Sequence, residues 1–273
     1  MRQQVNGRIM QGEALEEQVE RLAAMIVSAR RVVVFTGAGV STESGIPDFR
    51  SPGGIWEQYD PSEFTYQRFL GSAETRRKHW EFYRSGILGG EEAKPNAAHY
   101  AIAELDTMGK LDCVITQNVD NLHQKAGVPP EKVIELHGNM KWVKCLDCGQ
   151  RTSMDEVVKR VDREGADEPR CDKCAGILKP EAVFFGEPLP EEALRRATYH
   201  STNCDLFIVI GSTLVVTPAA YMPSYALKRG AKLAIINLSP TPLDHQASVL
   251  IRAKAGEAMT KVVQRARKRL YGE

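Results

Sequence analysis

Three polar side chains stand directly behind short apolar runs, where they could perform acid–base chemistry. Asn118 and Asp120 follow the run 113–115, and His137 follows the run 133–136. An amide donates and accepts hydrogen bonds, a carboxylate accepts them, and an imidazole titrates near neutral pH and can act as a general base. A lone histidine is more often structural, so His137 is a catalytic candidate because of these neighbours.

A glycine-containing turn, Thr36-Gly37-Ala38-Gly39-Val40-Ser41, follows another apolar run. Glycines let a backbone turn tightly and approach a pyrophosphate, whose charge free N–H groups can meet. Thr42 stands at the third glycine of the usual dinucleotide fingerprint, and no acidic residue closes a second strand about twenty positions later. This difference disfavours an ordinary dehydrogenase, and a tight turn without a ligand is the plain alternative. The following loop carries Asp48, Phe49 and Arg50, which could close over a nucleotide.

Four of the six cysteines form two CxxC pairs, Cys145 with Cys148 and Cys171 with Cys174. The 22 residues between the pairs slightly exceed the usual spacing. Four thiolates match tetrahedral zinc and leave no open coordination position, so the pattern predicts a structural ion. Free reduced cysteines are the alternative.

Two further polar segments follow apolar runs. Gly211-Ser212-Thr213-Leu214 comes after the run 206–210, and Asn237-Leu238-Ser239 comes after the run 233–236. Both offer donors for ribose hydroxyls and phosphate, and each could instead begin a helix. Because the polar groups behind several strands meet at one sheet edge, we expect a shared site there.

The elements that position these groups follow from the apolar pattern. The runs 32–35, 113–115, 206–210 and 233–236 are nearly continuously apolar, as expected of strands buried in a parallel sheet. Helical patterns lie between them, such as Leu15, Val19, Leu22 and Ile26. Strands that alternate with helices predict an α/β fold of βαβ units.

Two stretches interrupt this alternation. Residues 56–109 are helical and aromatic, and their last helix can begin at Pro95-Asn96 and end at Gly109. Residues 140–182 hold the cysteines and a capping box, Ser153 to Glu156. We expect both to be insertions that form a smaller domain, while 1–55, 110–139 and 183–273 form the sheet domain.

Charge and hydropathy limit the classes of partner and the cellular location that we expect. Thirty-six basic and 35 acidic residues give a net charge of +1, so we expect no direct nucleic-acid partner. No apolar run reaches the roughly 20 residues of a membrane span, and the N-terminus lacks a signal-peptide pattern. We therefore expect a cytoplasmic protein that does not bind membranes.

The motifs together resemble the sirtuin family, most closely its compact bacterial and archaeal members. They include GAGVSTESGIPDFR, TQNVDNLH, ELHGN, FFGEPLP, GSTLVVTPAA and IINL, in the family's order and over roughly Arg31 to Ala255. The resemblance implies a Rossmann-like domain beside a small domain made of a zinc ribbon and a helical insertion. It also implies NAD as co-substrate, structural zinc, and an acyl-lysine peptide that enters the cleft from the opposite side.

The resemblance also implies residue roles. Catalysis falls to His137 as general base, with Asn118 and Asp120 beside it. The residues implied for NAD binding are Gly37, Ala38, Gly39, Ser41, Asp48, Phe49, Arg50, Gln117, Asn118, Asp120, His137, Gly211, Ser212, Thr213, Asn237, Leu238, Ser239 and Ala255. The segment Val183-Phe184-Phe185-Gly186-Glu187 is expected to be an edge strand that binds the peptide by β-augmentation, and a buried core strand at 183–185 is the competing interpretation.

The implied reaction removes acetyl or other neutral acyl groups from protein lysines and yields nicotinamide, O-acetyl-ADP-ribose and free lysine. Members that remove acidic acyl groups carry an arginine three residues after a tyrosine, whereas Tyr83 is followed there by Gly86. Asn121 also departs from the family, where glycine is common, and Ser212-Thr213 inverts a common order.

Other functions remain open at this point. A pyridine-nucleotide dehydrogenase would share the glycine turn, and a zinc-ribbon binding module would share the cysteines. Transfer of ADP-ribose to protein would use the same site as deacylation, and the sequence does not separate the two.

Overall fold

The computed structural model describes residues 2–89, 92–165 and 167–272, with side chains from Leu15 onward. Within this part of the chain the strands are β1 (Val32–Thr36), β2 (Leu111–Thr116), β3 (Val133–Glu135), β4 (Trp142–Cys145), β5 (Arg151–Ser153), β6 (Leu178–Pro180), β7 (Leu206–Ile210), β8 (Lys232–Ile236) and β9 (Val249–Ile251). Six of them form one sheet in the order β3-β2-β1-β7-β8-β9, and every pairing in it is parallel.

The helices of the described residues are α1 (Arg2–Ser28), α2 (Ile55–Gln58), α3 (Tyr66–Gly71), α4 (Ala73–Arg84), α5 (Ala97–Thr107), α6 (Leu122–Lys125), α7 (Met154–Glu164), α8 (Glu191–Thr202), α9 (Met222–Lys228) and α10 (Ala255–Tyr271). Among them, none combines the length and the apolar character that crossing a membrane requires.

Helices cover both faces of the large sheet. Side chains alternate along each strand, so Val34 faces one layer and Phe35 the other. Val34 belongs to a core that includes α1, α5 and α10, while Phe35 belongs to a core that includes α8 and α9. Both residues are fully buried, which explains why the strands read as continuously apolar. The predicted α/β fold with a parallel sheet of buried strands is confirmed.

The four strands predicted from apolar runs are all present. The predicted run 206–210 coincides with β7. Strands β1 and β8 are each one residue longer than their runs, and β2 begins two residues earlier and ends one residue later than its run. The helical pattern at Leu15–Ile26 lies within α1. Helix α5 begins after Asn96, whose side chain accepts from the Ala98 N–H, and it is followed by Gly109 with a positive φ of 67°.

Helix α5 departs from the predicted division of the chain. We assigned 56–109 to the helical insertion, but Ala98, Ile102 and Leu105 on α5 are buried in the core against the large sheet. Hydrophobic burial on the sheet therefore includes this helix in the large domain. The remaining domain boundaries stay predictions.

The cysteine module is built on a small antiparallel sheet in the order β5-β4-β6. Helix α7 begins with the predicted capping box, in which the Ser153 and Glu156 side chains bond each other's backbone N–H. Its Val157 and Val161 share a core with Val143 and with Trp80 of helix α4. This shared core joins the helical insertion to the cysteine module, as expected for one smaller domain.

The predicted edge strand at 183–187 is wrong. These residues are described, and their one strand-like feature is an isolated parallel bridge between Phe185 and Thr65. The Phe185 N–H donates to the Phe64 carbonyl, and its own carbonyl accepts from the Tyr66 N–H. Gly186, at φ 80°, then turns the chain. Because Phe185 bonds the 64–66 segment and the chain turns at once, it does not form a longer ladder.

The glycine turn after β1 packs against the turn after β7. The Gly37 N–H donates to the Ile210 carbonyl at 3.1 Å, and the Gly39 N–H donates to the Gly211 carbonyl at 2.9 Å. A Cβ on Gly39 would lie 2.9 Å from both the Cα and the carbonyl oxygen of Gly211. The glycines are therefore required by backbone packing between the two turns, whatever ligand they also meet.

Replacing Gly39 by alanine should cost about 1–3 kcal/mol of the free energy of unfolding, because backbone atoms must shift to admit the methyl group. Gly71 is the matched control, since it ends a helix, shows no positive φ, and would place an added methyl group more than 4 Å from any atom beyond its chain neighbours and its own helix backbone. The variant Gly71→Ala should be neutral or more stable by up to about 1 kcal/mol. Urea denaturation of both variants measures the difference, and equal stabilities would contradict the packing argument.

Candidate active site

A cleft of about 750 Å³ lies at the carboxyl ends of the large sheet's strands. Residues that follow each of the six strands line it, including the two turns that meet between β1 and β7. Connections run to opposite sides of the sheet from this point, and ligands of open α/β sheets bind at such a switch point. The volume is within the range of small-molecule and cofactor sites.

All of the predicted nucleotide-side and peptide-side residues line this cleft. They are Gly37, Ala38, Gly39, Ser41, Asp48, Phe49, Arg50, Gln117, Asn118, Asp120, His137, Val183, Phe184, Phe185, Gly186, Glu187, Gly211, Ser212, Thr213, Asn237, Leu238, Ser239 and Ala255. The four cysteines lie apart from it, in the small antiparallel sheet and its loops.

A hydrogen-bond network joins the loops after β1 and β2. The buried Ser41 hydroxyl donates to Asp120 Oδ2 at 2.7 Å, and the Asn118 amide donates to Ser41 Oγ at 3.0 Å. The same amide lies 3.3 Å from the Gly37 carbonyl, and the Leu122 N–H donates to the other oxygen of Asp120. The two polar side chains predicted beside the base are thus held in place by the glycine turn.

A second set of bonds joins the loop after β2 to the loop after β7, and the loop after β8 to Arg252 behind β9. The Gln117 amide donates to Ser212 Oγ at 2.8 Å, and this hydroxyl oxygen also accepts from the Leu214 N–H. The Asn237 amide donates to the Ser239 carbonyl at 2.8 Å, and Arg252 donates to the carbonyls of both residues. The inverted serine and threonine order therefore keeps a hydroxyl at the position that bonds Gln117.

The hydrogen bonding of His137 determines which of its ring nitrogens is basic. Its Nδ1 lies 3.0 Å from the Gln117 carbonyl, which can only accept, so Nδ1 carries the proton and Nε2 is left as the basic nitrogen. Burial lowers the pKa of His137, and the bond to Gln117 partly opposes that shift. The neutral imidazole is therefore favoured at physiological pH, which suits a general base.

The loop after the glycine turn is held by Asp48. Its carboxylate accepts from the N–H groups of Arg50 and Ser51 at 2.8 and 2.7 Å. Burial raises the pKa of Asp48, but hydrogen bonding by the side chain and N–H of Ser51 and by the N–H of Arg50, together with the charge of Arg50, outweighs it and lowers the pKa overall. The loop presents Phe49, whose ring centroid lies 5.1 Å from that of Trp56. Phe49 thus forms part of a continuous aromatic surface in the cleft.

The sequence reasoning missed most of that aromatic surface. Trp56 and Phe64 have ring centroids 5.5 Å apart, and Phe82 packs edge-on against Phe64 at 4.9 Å. Tyr83 and Leu88 extend the lining from the end of helix α4. The aromatic character of 56–109 was visible in the sequence, but spacing alone did not indicate that these rings face a cleft.

Two details of the loop after β2 follow from its backbone. Asn121 has a φ of 67°, a left-handed conformation that glycine adopts freely and asparagine tolerates, so the departure from glycine is sterically allowed. His123 is buried, and its Nε2 lies 2.9 Å from Thr36 Oγ1 at the end of β1. This contact ties the loop after β2 to the end of β1.

The four cysteine sulfurs form a compact cluster in which all lie within 4.8 Å of one another. Cys145 Sγ is 3.5 Å from Cys174 Sγ, and Cys148 Sγ is 3.7 Å from Cys171 Sγ. Tetrahedral zinc with bonds of about 2.3 Å separates its sulfur ligands by about 3.8 Å. The cluster therefore has the dimensions of a four-cysteine zinc site.

Two named proteins are similar to this chain over nearly its whole length. NAD-dependent protein deacetylase 1 of Pyrobaculum aerophilum is 44% identical over 255 residues, which cover 93% of this chain and 97% of that protein. NAD-dependent protein deacylase 2 of Archaeoglobus fulgidus is 45% identical over 260 residues, which cover 95% of this chain and 100% of that protein.

Solved structures agree with this similarity. A structure of a Sir2 enzyme is 44% identical and superimposes with a TM-score of 0.84. The alignment covers 93% of this chain and 99% of that one. A Sir2 structure with a p53 peptide and NAD+ is 38% identical with a TM-score of 0.80, over 92% of this chain and 97% of its own. The Sir2 family model matches residues 37–218. With these similarities and the cleft described above, the chain belongs to the Sir2 family, the sirtuins.

Proposed function

We propose that this protein uses NAD to remove acyl groups from protein lysines, giving nicotinamide, O-acetyl-ADP-ribose and free lysine. The observation that carries the proposal is the convergence of His137, Asn118 and Asp120 with the glycine turn in one cleft. The names of the similar proteins, which are NAD-dependent deacetylases and deacylases, support the same activity.

The cleft suits NAD in size and in the chemistry of its lining. It has about 750 Å³, backbone that approaches closely at Gly37 and Gly39, and amide or hydroxyl groups behind several strands. We assign the diphosphate to the glycine turn. We assign the nicotinamide half to Gln117, Asn118 and Asp120, and the adenosine half to the segments 211–213 and 237–239 with Ala255.

The chain's own residues then define the chemistry. Bound NAD would supply a ribose carbon that accepts the acyl oxygen as nicotinamide leaves. His137 Nε2 accepts a proton from a ribose hydroxyl, because Nδ1 is already protonated and bonded to Gln117. Asn118 and Asp120 orient the substrate, and Phe49 excludes water from the reacting carbon.

We infer that the acyl group is neutral. The Tyr83 hydroxyl lies 3.1 Å from His79 Nδ1, and Gly86 offers no charge where an acidic acyl group would need one. Arg84, the nearest cation along the helix, pairs with Asp162 at 2.6 Å on the small domain. The aromatic lining described above suits acetyl and longer neutral chains.

We infer that the four cysteines hold one structural zinc ion. Its four thiolates would complete a tetrahedron and leave no position for a reacting water, so zinc supplies folding stability to the small domain. The hydrophobic core of the small domain contains few side chains, so a metal cross-link adds stability that this core does not supply.

We also infer a cytoplasmic location. Four closely spaced thiols and the further free thiols Cys113 and Cys204 suit a reducing compartment. The proposed partners are acyl-lysine proteins. Near-zero net charge gives no general attraction to nucleic acid.

Incubation with NAD and a panel of acyl-lysine peptides tests the reaction. We expect acetyl and longer neutral acyl-lysine peptides to release nicotinamide and O-acyl-ADP-ribose, identified by mass. Succinyl-lysine peptides should react at least about tenfold more slowly, because Gly86 carries no charge beside Tyr83 and Arg84 is paired with Asp162. Accumulation of reduced cofactor without nicotinamide would instead indicate a dehydrogenase.

Substituting His137→Ala should lower kcat by roughly 10²- to 10⁴-fold, the usual contribution of a general base. The dissociation constant for ADP-ribose, measured by calorimetry, should change less than about twofold, because the adenosine side of the cleft is intact. His245→Ala is the control, since this histidine is exposed and does not line the cleft. Full activity in His137→Ala would reject the assigned base.

The zinc assignment predicts about one zinc ion per chain by elemental analysis. Cys148→Ser should reduce this content to near zero and lower the melting temperature, although Cys148 is exposed and its replacement disturbs little packing. Cys204→Ser is the control, because Cys204 is buried in the large domain. Zinc retained at full content in Cys148→Ser would contradict the four-cysteine site.

A further inference from the structure

Lys179 on strand β6 is a lysine whose ammonium group is buried. The residue is 5% exposed, and Nζ donates to the carbonyls of Pro180 at 3.0 Å and Ala182 at 2.7 Å. Its third contact is an ion pair with the Glu187 carboxylate at 2.9 Å. Burial lowers the pKa of Lys179, and Glu187 opposes that shift. An ammonium group this well partnered can remain charged inside the protein.

Glu187 and Lys179 act on the same short segment. The Glu187 carboxylate also accepts from the Phe184 N–H at 2.9 Å, so the pair is bonded to the segment at Ala182, Phe184 and Glu187 itself. Phe184 further covers the ammonium group, with its ring centroid 4.1 Å from Nζ. The pair therefore lies on the buried side of residues 182–187 and holds them in one conformation.

Those residues form one wall of the cleft next to the proposed base. All of 182–187 line it, and the Val183 N–H donates to the His137 carbonyl at 2.8 Å. The ring of Phe184 packs against His79 of helix α4 at 4.9 Å, which ties the wall to the helical insertion. A shift of this wall would move the peptide side of the cleft, while the turns after β1 and β7 would stay in place.

We propose that the buried Lys179–Glu187 pair positions the segment 182–187 for binding of the acyl-lysine peptide. Lys179 is thus a positioning residue that acts through the wall and does not itself touch substrate. The inference rests on the proposed function. It also changes the role of Glu187, which was expected to bind the peptide and whose carboxylate instead bonds Lys179 and Phe184.

An ordinary structural ion pair would behave differently from a positioning pair. Loss of a structural pair lowers the fraction of folded enzyme, so apparent kcat falls while the KM for peptide stays the same. Loss of a positioning pair raises the KM for peptide and leaves binding at the nucleotide side unchanged. The two effects can be separated in one set of variants.

The variants are Lys179→Met, Glu187→Gln and the combination of both, with Lys144→Met as control. Lys144 lies opposite Lys179 in the β4–β6 register but is exposed. The measurements are kcat and KM for an acetyl-lysine peptide, the dissociation constant for ADP-ribose, and melting temperature. We expect the peptide KM to rise roughly tenfold in Lys179→Met and less in Glu187→Gln, whose amide can still accept from the lysine. ADP-ribose binding should change less than about twofold.

The combined variant removes both charges, so we expect its melting temperature to recover towards wild type while its peptide KM stays high. Should Lys179→Met fail to fold, the KM of Glu187→Gln decides alone. An active enzyme whose peptide KM is unchanged in Glu187→Gln and in any folded Lys179→Met would overturn the positioning role. Wild-type protein that releases no nicotinamide from NAD and peptide would overturn the proposed function, and the role of Lys179 with it.

Discussion

The close contact between the turn after β1 and the turn after β7 is the constraint on which the site depends. Parallel pairing places Thr36 beside Ile210, so both strands end at the same level and their turns must pass within backbone distance. Only small residues permit this, and glycines occupy the points of contact at Gly39 and Gly211. The adjacent polar groups can then bond one another across the sheet edge.

Hydrogen bonds from these two turns hold the polar side chains of the neighbouring loops in place. Ser41, at the end of the turn after β1, donates a hydrogen bond to Asp120. The Gln117 amide donates to Ser212 in the turn after β7. The backbone carbonyl of Gln117 in turn selects the protonated nitrogen of His137. The neutral form of His137, the proposed base, is therefore favoured by backbone geometry and burial, before any ligand contributes.

The small domain completes the cleft from the opposite side by different physical means. Its core is small and depends on Trp80 packing against the cysteine module. Metal ligation suits such a module because few apolar side chains are available to stabilise it. Close to this core, the buried pair of Lys179 and Glu187 holds the segment 182–187, which forms one wall of the cleft. Stability and substrate positioning are thus supplied by two neighbouring elements, the cysteine module and the segment 182–187 that follows it.

Local patterns in the sequence determined the strands β1, β2, β7 and β8, the beginnings of α5 and α7, and the two CxxC motifs of the zinc site. Each of these depends on residues that are neighbours in the chain, through continuous burial, side-chain capping or ligand spacing. The polar residues of the site could be named because they follow strand ends, which meet at one edge of any parallel sheet.

Only the tertiary structure decided the membership of α5 in the large domain, the aromatic lining of the cleft, and the conformation of 183–187. The last of these was expected to be a strand, but Phe185 bonds a segment about 120 residues away and Glu187 bonds Lys179 inside the protein. Such contacts join residues that are remote in the chain, and their free energy depends on distances that the sequence pattern does not contain. The sequence by itself therefore determined which groups could react, and the packing of the two domains decided how they are held.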